Sequence, residues 1–136
     1  MCKLLIVSIF LVTLAGCSSS SDVPAAENAI AAFHSELNVG DFNKVYDNGS
    51  AELKTATSRK KFCMILNAVH SKLGLFTNGR STGWNDSATI NGHYVTINFD
   101  ADYQKGSATE NFVFQITGSR AVLVGYHVNS DALLLN

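Results

Sequence analysis

Residues 87–128, SATINGHYVTINFDADYQKGSATENFVFQITGSRAVLVGYHV, decide the fold of this 136-residue chain. Apolar and polar side chains alternate in this segment, so that Val95, Ile97 and Phe99 fall on one side of an extended backbone. Three pairs of turn-forming residues interrupt the alternation: Asn91-Gly92, Lys105-Gly106 and Gly118-Ser119. The pattern predicts an antiparallel four-strand meander, in which each strand pairs with the next one along the chain.

A helical period replaces the alternation in the residues before Gly74. Three helices are predicted there: one from Asp22 to Gly40, a short one capped by Asp41, and one from Ser58 to Gly74. The third has the strongest signal, because its apolar side chains recur on one face of a helix. Helices followed by a meander predict an α+β fold, with the three N-terminal helices packed on one face of the antiparallel sheet.

Several short motifs occur in a fixed order between residues 27 and 129. They are Gly40-Asp41-Phe42 with Tyr46, Leu73-Gly74, Tyr94-Val95 leading to Phe99 and Tyr103, Glu110, and Gly125-Tyr126. In this order the chain resembles small exported domains of unknown function in the nuclear transport factor 2-like superfamily, which share the cystatin-like roll. The resemblance implies a curved four-strand sheet that wraps a helix and leaves a cone-shaped cavity open at one end.

The first residues have the layout of an export signal. Lys3 precedes an apolar run over residues 4–14, which is shorter than the roughly 20 residues of a transmembrane helix. Leu14-Ala15-Gly16-Cys17 follows and resembles the lipobox of bacterial lipoproteins. That resemblance implies a diacylglycerol on Cys17 Sγ and cleavage before it; an ordinary secretory signal with a chance cysteine is the alternative.

The predicted organisation follows from this signal. Residues 1–16 are expected to be the lipoprotein signal peptide, 17–24 a lipidated Ser-rich tether, and 25–136 a single domain. The acyl chains are expected to hold the domain at a membrane of the bacterial cell envelope. Because a serine, Ser18, follows Cys17, the lipoprotein resemblance implies the outer membrane, facing the periplasm, if the cell is Gram-negative.

Composition narrows the classes of partner and of site. The chain has 10 Lys and Arg against 11 Asp and Glu, so a basic surface for nucleic acid is not expected. Beyond the signal and the lipidated cysteine only Cys63 remains, which we interpret as a small buried side chain of the third helix, with a reactive thiol as the alternative. Trp84, the only tryptophan, is expected to lie at the edge of the core, with an exposed contact surface as the alternative.

The sequence lacks the motifs that are typical of metal-binding and catalytic sites. The four histidines have no metal-ligand spacing, so we expect them at the surface or half-buried and predict no metal site and no cofactor. No catalytic set is predicted. Glu110 alone attracts attention, because alternation places this acid on the face of Phe112 and Phe114. It could be a polar anchor at the cavity mouth near Tyr103 or Tyr126, or a solvated residue at a strand start.

Three functions remain open at this point. We favour a non-enzymatic, membrane-anchored binding or accessory module, which contacts a small apolar ligand or an envelope protein. The alternatives are a small hydrolase or isomerase that uses the cone as its active site, and a structural protein whose cone is filled by its own side chains. The interior around Glu110 distinguishes them: an open polar cone favours the enzyme, an open apolar one favours ligand binding, and a filled one favours an interaction surface.

Overall fold

The computed structural model of the protein describes residues 22–135. The predicted signal peptide and Cys17 therefore lie outside the described residues. The described chain has an α+β fold, with helices packed on a curved, four-stranded antiparallel sheet, as the sequence predicts. None of the helices within this range is both long and apolar enough to cross a membrane.

Within residues 22–135, four helices, and not the three predicted, precede the sheet, and a fifth follows it. They are α1 (Asp22–Val39), α2 (Phe42–Asp47), α3 (Ala51–Ala56), α4 (Arg59–Leu73) and α5 (Asp131–Leu134). Serine and aspartate side chains cap three of them: Asp41 accepts from Lys44 N, Ser50 from Leu53 N, and Ser58 from Lys61 N. α3 escaped prediction because it has a single buried apolar residue, Leu53, and so no period.

The long helices end where the sequence indicates. Gly40 and Gly74 follow α1 and α4 with φ of 78° and 77°, a left-handed backbone conformation that residues with a Cβ rarely adopt. The two helices can therefore stop sharply, and the chain can turn into α2 and into the sheet.

The sheet is a meander of strands in the order β1-β2-β3-β4. The strands are β1 (Phe76–Thr89), β2 (Gly92–Tyr103), β3 (Gly106–Thr117) and β4 (Arg120–Asn129), and the three predicted turns connect them. β1 is much longer than the short segment before Asn91 that alternation indicated. It is an edge strand with two irregularities in its pairing, and its many Gly, Ser, Thr and Asn residues obscure the period.

The core lies between the concave face of the sheet and α1 and α4. Its helical side is built mainly from Ile30, Phe33, Leu37, Leu66, Val69 and Leu73, and its sheet side from Val95, Ile97, Phe99, Phe112 and Phe114. The pairing register sets Val95 opposite Phe114 and Ile97 opposite Phe112, so these side chains point to the same face. The predicted buried faces of α1, α4, β2 and β3 are thus confirmed.

Two single-residue predictions are wrong. Trp84 is 56% exposed and does not lie in the core, because it belongs to the edge strand β1, which the helices cover incompletely. Cys63 is half-buried and not fully buried, since it lies beside the buried stripe of α4 with its Sγ 3.8 Å from Asn43 Oδ1. A thiol in that position is partly accessible to solvent.

Candidate functional site

Glu110 lies in the interior of the domain. β3 alternates, so Glu110 shares the concave face with Phe112 and Phe114, and its neighbour across the β2–β3 pair is Phe99. The residue is 1% exposed. Of the two sequence interpretations, the solvated strand end is therefore wrong.

Three side chains converge on the carboxylate. The hydroxyls of Tyr103 and Tyr126 donate to its Oε1 over 2.5 and 2.8 Å, and His34 Nε2 lies 2.8 Å from its Oε2. An ionised carboxylate only accepts hydrogen bonds, so the His34 proton belongs on Nε2. We call Glu110, His34, Tyr103 and Tyr126 the Glu110 cluster. Its hydrogen bonds offset the cost of burying the charge.

His34 is the member that sequence reasoning missed, and the expectation of four surface or half-buried histidines is wrong for it. The residue is 2% exposed, and its ring stacks on Phe76 with 3.7 Å between centroids. Its Nδ1 is a buried side-chain atom with no hydrogen-bond partner among residues 22–135. The helical spacing does indicate that His34 is buried, because it lies four residues after Ile30 and three before Leu37, on the apolar stripe of α1.

The two tyrosines are held in their protonated form. Burial, followed by the nearby Glu110 charge, raises the pKa of Tyr103 far above its ordinary value. The same two causes, in the same order, raise the pKa of Tyr126. Both hydroxyls therefore remain donors to Glu110 at physiological pH.

We expect the protein to lose stability as the pH rises above about 10, the ordinary tyrosine pKa. Below that pH both tyrosines are protonated in the folded and the unfolded chain, so their contribution is fully present. Above it they ionise only in the unfolded chain, and the free energy of unfolding falls. Urea melts of the wild type and of Tyr103→Phe at about pH 8 and pH 11 measure this slope. The slope should be smaller in the variant; an equal slope would contradict the assignment.

The Glu110 cluster is closed to solvent. Aromatic rings pack around His34, namely Phe33, Phe76, Phe99 and Phe112. A shallow depression on the outer face of the sheet touches Glu110, but its side chain is 0% exposed and points to the other face. The interior that the sequence predicted as a cavity around Glu110, Tyr103 and Tyr126 is therefore filled at this point.

An open cleft lies on the other side of Phe33. It has a volume of about 290 Å³ and is formed by α1, α2 and the adjoining ends of β3 and β4. Its lining consists of Ala29, Ala32, Phe33, Glu36, Val45, Asn48, Phe114, Arg120, Ala121 and Leu123. We call it the α1–β4 cleft. Buried apolar side chains form its floor, and the small Ala29 and Ala32 leave the space above them.

The polar groups of the α1–β4 cleft lie on Glu36, Asn48 and Arg120. The Glu36 carboxylate is paired with Lys44, with 2.5 Å between Oε1 and Nζ. Arg120 is exposed and has no ion-pair partner within residues 22–135. The lining therefore offers one unpaired cation beside an apolar floor.

Phe33 connects the cleft to the Glu110 cluster. Its ring lines the cleft and also packs on Tyr126, with 4.7 Å between centroids, and edge-on against His34 at 5.4 Å. A molecule in the cleft would thus be separated from Glu110 and its donors by one aromatic ring.

A third group of side chains meets at the start of α1. Asp22, Asp86 and His93 bring three possible metal-ligand atoms within 4.8 Å of one another, although nothing in their sequence spacing indicated it. Asp86 and His93 come from the two strands of the β1–β2 hairpin, and Asp22, distant in sequence, comes from α1.

No protein-family model matches the chain, and no curated protein matches it. The geometry of the Glu110 cluster and of the α1–β4 cleft is therefore the evidence on function.

Proposed function

We propose that this chain is a lipoprotein of the bacterial cell envelope and acts there as a non-enzymatic binding module. The single observation that carries the binding role is the α1–β4 cleft, an open space of about 290 Å³ with an apolar floor and polar groups from Glu36, Asn48 and Arg120. Small-molecule sites are typically concave, apolar, and equipped with a few polar groups that orient the ligand. The filled interior around Glu110 argues against the cone both as a reaction chamber and as a ligand space, and by itself it favours an interaction surface. The α1–β4 cleft, which lies outside that interior, is what supports a small ligand.

The cleft's chemistry defines the class of ligand. Its volume lies at the small end of ligand sites, which occupy about 300–1,000 Å³. Phe33, Phe114 and Leu123 supply an apolar floor, so the body of the ligand is apolar. Arg120 is the unpaired cation of the lining, whereas the Glu36 carboxylate is already engaged by Lys44. A small apolar molecule that carries one anionic group, directed to Arg120, fits this arrangement best.

The cellular location of the protein is part of the same proposal. The lipobox resemblance supports acylation at Cys17, and the residues from Ser18 to Ser21, which precede α1, reach under about 15 Å even when extended. The domain would lie close to the lipid surface, facing the periplasm from the outer membrane if the cell is Gram-negative. The helix-then-meander order supports membership of the nuclear transport factor 2-like superfamily with its cystatin-like roll.

Filling the cleft should abolish ligand binding without unfolding the protein. Ala32 lines the cleft and is exposed, so Ala32→Trp places an indole in the ligand space. Ala31→Trp is the matched control, because Ala31 is equally exposed, adjacent, and outside the lining. Naphthoate is a suitable probe, with naphthamide as its neutral counterpart. Ligand-observed NMR on the detergent-solubilised protein measures the binding of both.

The wild type and Ala31→Trp should bind naphthoate saturably, and Ala32→Trp should not. Arg120→Ala should weaken naphthoate binding and leave naphthamide binding unchanged, because only the carboxylate meets the guanidinium. Equal binding by the Ala31 and Ala32 variants would place the ligand elsewhere. The absence of binding by all four proteins would favour an envelope protein as the partner, and would refute this small-ligand class.

A small hydrolase or isomerase is the second candidate, and one observation favours it. The Glu110 cluster combines a carboxylate, two hydroxyl donors and an imidazole whose Nδ1 has no partner among the described residues. Such groups perform acid–base chemistry once a substrate reaches them. Phe33 would have to rotate to admit one. Probe-induced changes at His34 and Tyr126 as large as those at Ala32 would favour this candidate.

A further inference from the structure

Asp22, Asp86 and His93 form a half-buried group where the first turn of α1 meets the β1–β2 hairpin. His93 Nε2 lies 2.5 Å from Asp86 Oδ1 and 3.5 Å from Asp22 Oδ2. The three side chains are 26%, 18% and 32% exposed, in the order Asp22, Asp86, His93. Residues of three separate elements thus aim their donor atoms at one small volume.

The sheet register explains why the group is assembled. Asp86 pairs with Val95, a fully buried residue of the concave face, and His93 precedes Val95 by two residues on the same strand. Asp86 and His93 therefore both project from the concave face, toward the helical layer. α1 enters that layer at Asp22, which completes the group.

The donor atoms of the group suit a cation. Asp22 and Asp86 each present a carboxylate oxygen and His93 presents an imidazole nitrogen, all within 4.8 Å of one another. Like charges held together out of bulk water repel more strongly than they do at a fully exposed surface. A divalent ion between them would remove this repulsion and accept a lone pair from the imidazole.

We propose that Asp22, Asp86 and His93 bind a divalent transition-metal ion of the zinc class. Zinc accepts imidazole nitrogen and carboxylate oxygen at about 2.0–2.2 Å, which sets tetrahedral ligands about 3.3 Å apart. The 3.5 Å between His93 and Asp22 matches this spacing, and Asp86 needs to withdraw from His93 by less than about 1 Å. Three protein ligands leave the fourth position for water or a further ligand.

The imidazole distinguishes this site from a merely acidic surface. Nitrogen ligands favour zinc and its neighbours, whereas oxygen-only groups favour calcium and magnesium. The metal would also join the first turn of α1 to the β1–β2 hairpin, so binding should stabilise the folded chain. Trp84 is two residues before Asp86 on β1, and it provides an intrinsic fluorescent reporter of the site.

Zinc and calcium titrations of the chelator-treated, full-length protein in detergent test the proposal, by calorimetry and by Trp84 fluorescence. We expect one zinc ion per chain, little response to calcium, and a higher melting temperature with zinc. His93→Ala and Asp86→Asn should each weaken zinc binding by at least about 100-fold, since even outer-shell partners contribute about 10–100-fold. Circular dichroism verifies that each variant is folded. If His93→Ala does not fold, the result for Asp86→Asn, which keeps the side-chain shape, decides the test.

Two control variants separate this site from other zinc-binding groups. His127→Ala removes an exposed histidine of β4, and Cys63→Ser removes the half-buried thiol of α4; both should bind zinc as the wild type does. The proposal is overturned if zinc fails to bind, if calcium binds as tightly as zinc, or if Asp86→Asn retains full affinity. Loss of the stoichiometric zinc in either control would likewise overturn it.

Discussion

Glu110→Ala should lower the free energy of unfolding by about 3–5 kcal/mol, because each buried donor left without an acceptor costs about 1–3 kcal/mol. The substitution strands the hydroxyls of Tyr103 and Tyr126 and the His34 Nε2 proton without an acceptor, in a filled interior. It also leaves a cavity among packed aromatic rings. Urea melts at neutral pH measure the loss.

Two variants serve as controls for Glu110→Ala. Glu110→Gln retains the shape and an oxygen for the tyrosines, so its loss should be smaller, on the order of 1–3 kcal/mol. Thr109→Ala alters the preceding, exposed residue of β3 and should change stability by less than about 0.5 kcal/mol. A loss below about 1 kcal/mol for Glu110→Ala would contradict the role of the carboxylate as the common acceptor of the cluster.

Cys17→Ser should abolish acylation of the chain entirely. The serine hydroxyl cannot replace the thiol that the lipobox resemblance assigns to the diacylglycerol, so palmitate labelling should disappear. The product should be an uncleaved precursor or a soluble protein, in contrast to the wild type, whose first residue should be Cys17. Metabolic labelling and intact-mass measurement report both properties.

Ser18→Ala is the matched control for Cys17→Ser, because it changes one hydroxyl of the tether and leaves the lipobox intact. It should be labelled and cleaved as the wild type is. If Cys17→Ser still acquires palmitate, or is still cleaved before residue 17, the lipoprotein assignment is wrong.

The sequence was sufficient to predict the meander and the long helices, because local sequence signals and tertiary packing agree in these elements. Asn91-Gly92 and Lys105-Gly106 form tight turns, and the alternation of β2 and β3 matches the face that the helices cover. Gly40 and Gly74 end α1 and α4 where their periods stop. Each of these features depends on residues that are close together in the chain.

Features that depend on distant contacts were not predictable in this way. The composition of β1 is rich in Gly, Ser and Asn and has little strand character, because the strand is held by its pairing with β2. The exposure of Trp84 likewise depends on how far the helices cover this edge strand, which the local sequence does not indicate.

The candidate sites were only partly visible in the sequence. Alternation puts Glu110 on the face of Phe112 and Phe114, but it leaves open whether the acid is a polar anchor near Tyr103 or Tyr126 or a solvated residue at a strand start. His34 is absent from that prediction, although it lies on the apolar stripe of α1. The α1–β4 cleft and the Asp22, Asp86 and His93 group arise where separate elements meet. No spacing along the chain encodes either one.

One measurement tests the binding role most directly: the naphthoate titration followed residue by residue in amide NMR spectra of the ¹⁵N-labelled protein. Binding in the α1–β4 cleft should cause saturable shifts of the amides that line it, such as those of Ala32 and Leu123, and smaller shifts at Glu110 and Tyr103. The shifts at the cleft should be absent in Ala32→Trp and present in Ala31→Trp. Spectra of the wild type that do not change with naphthoate, or that change most at Glu110 and Tyr103, would contradict it.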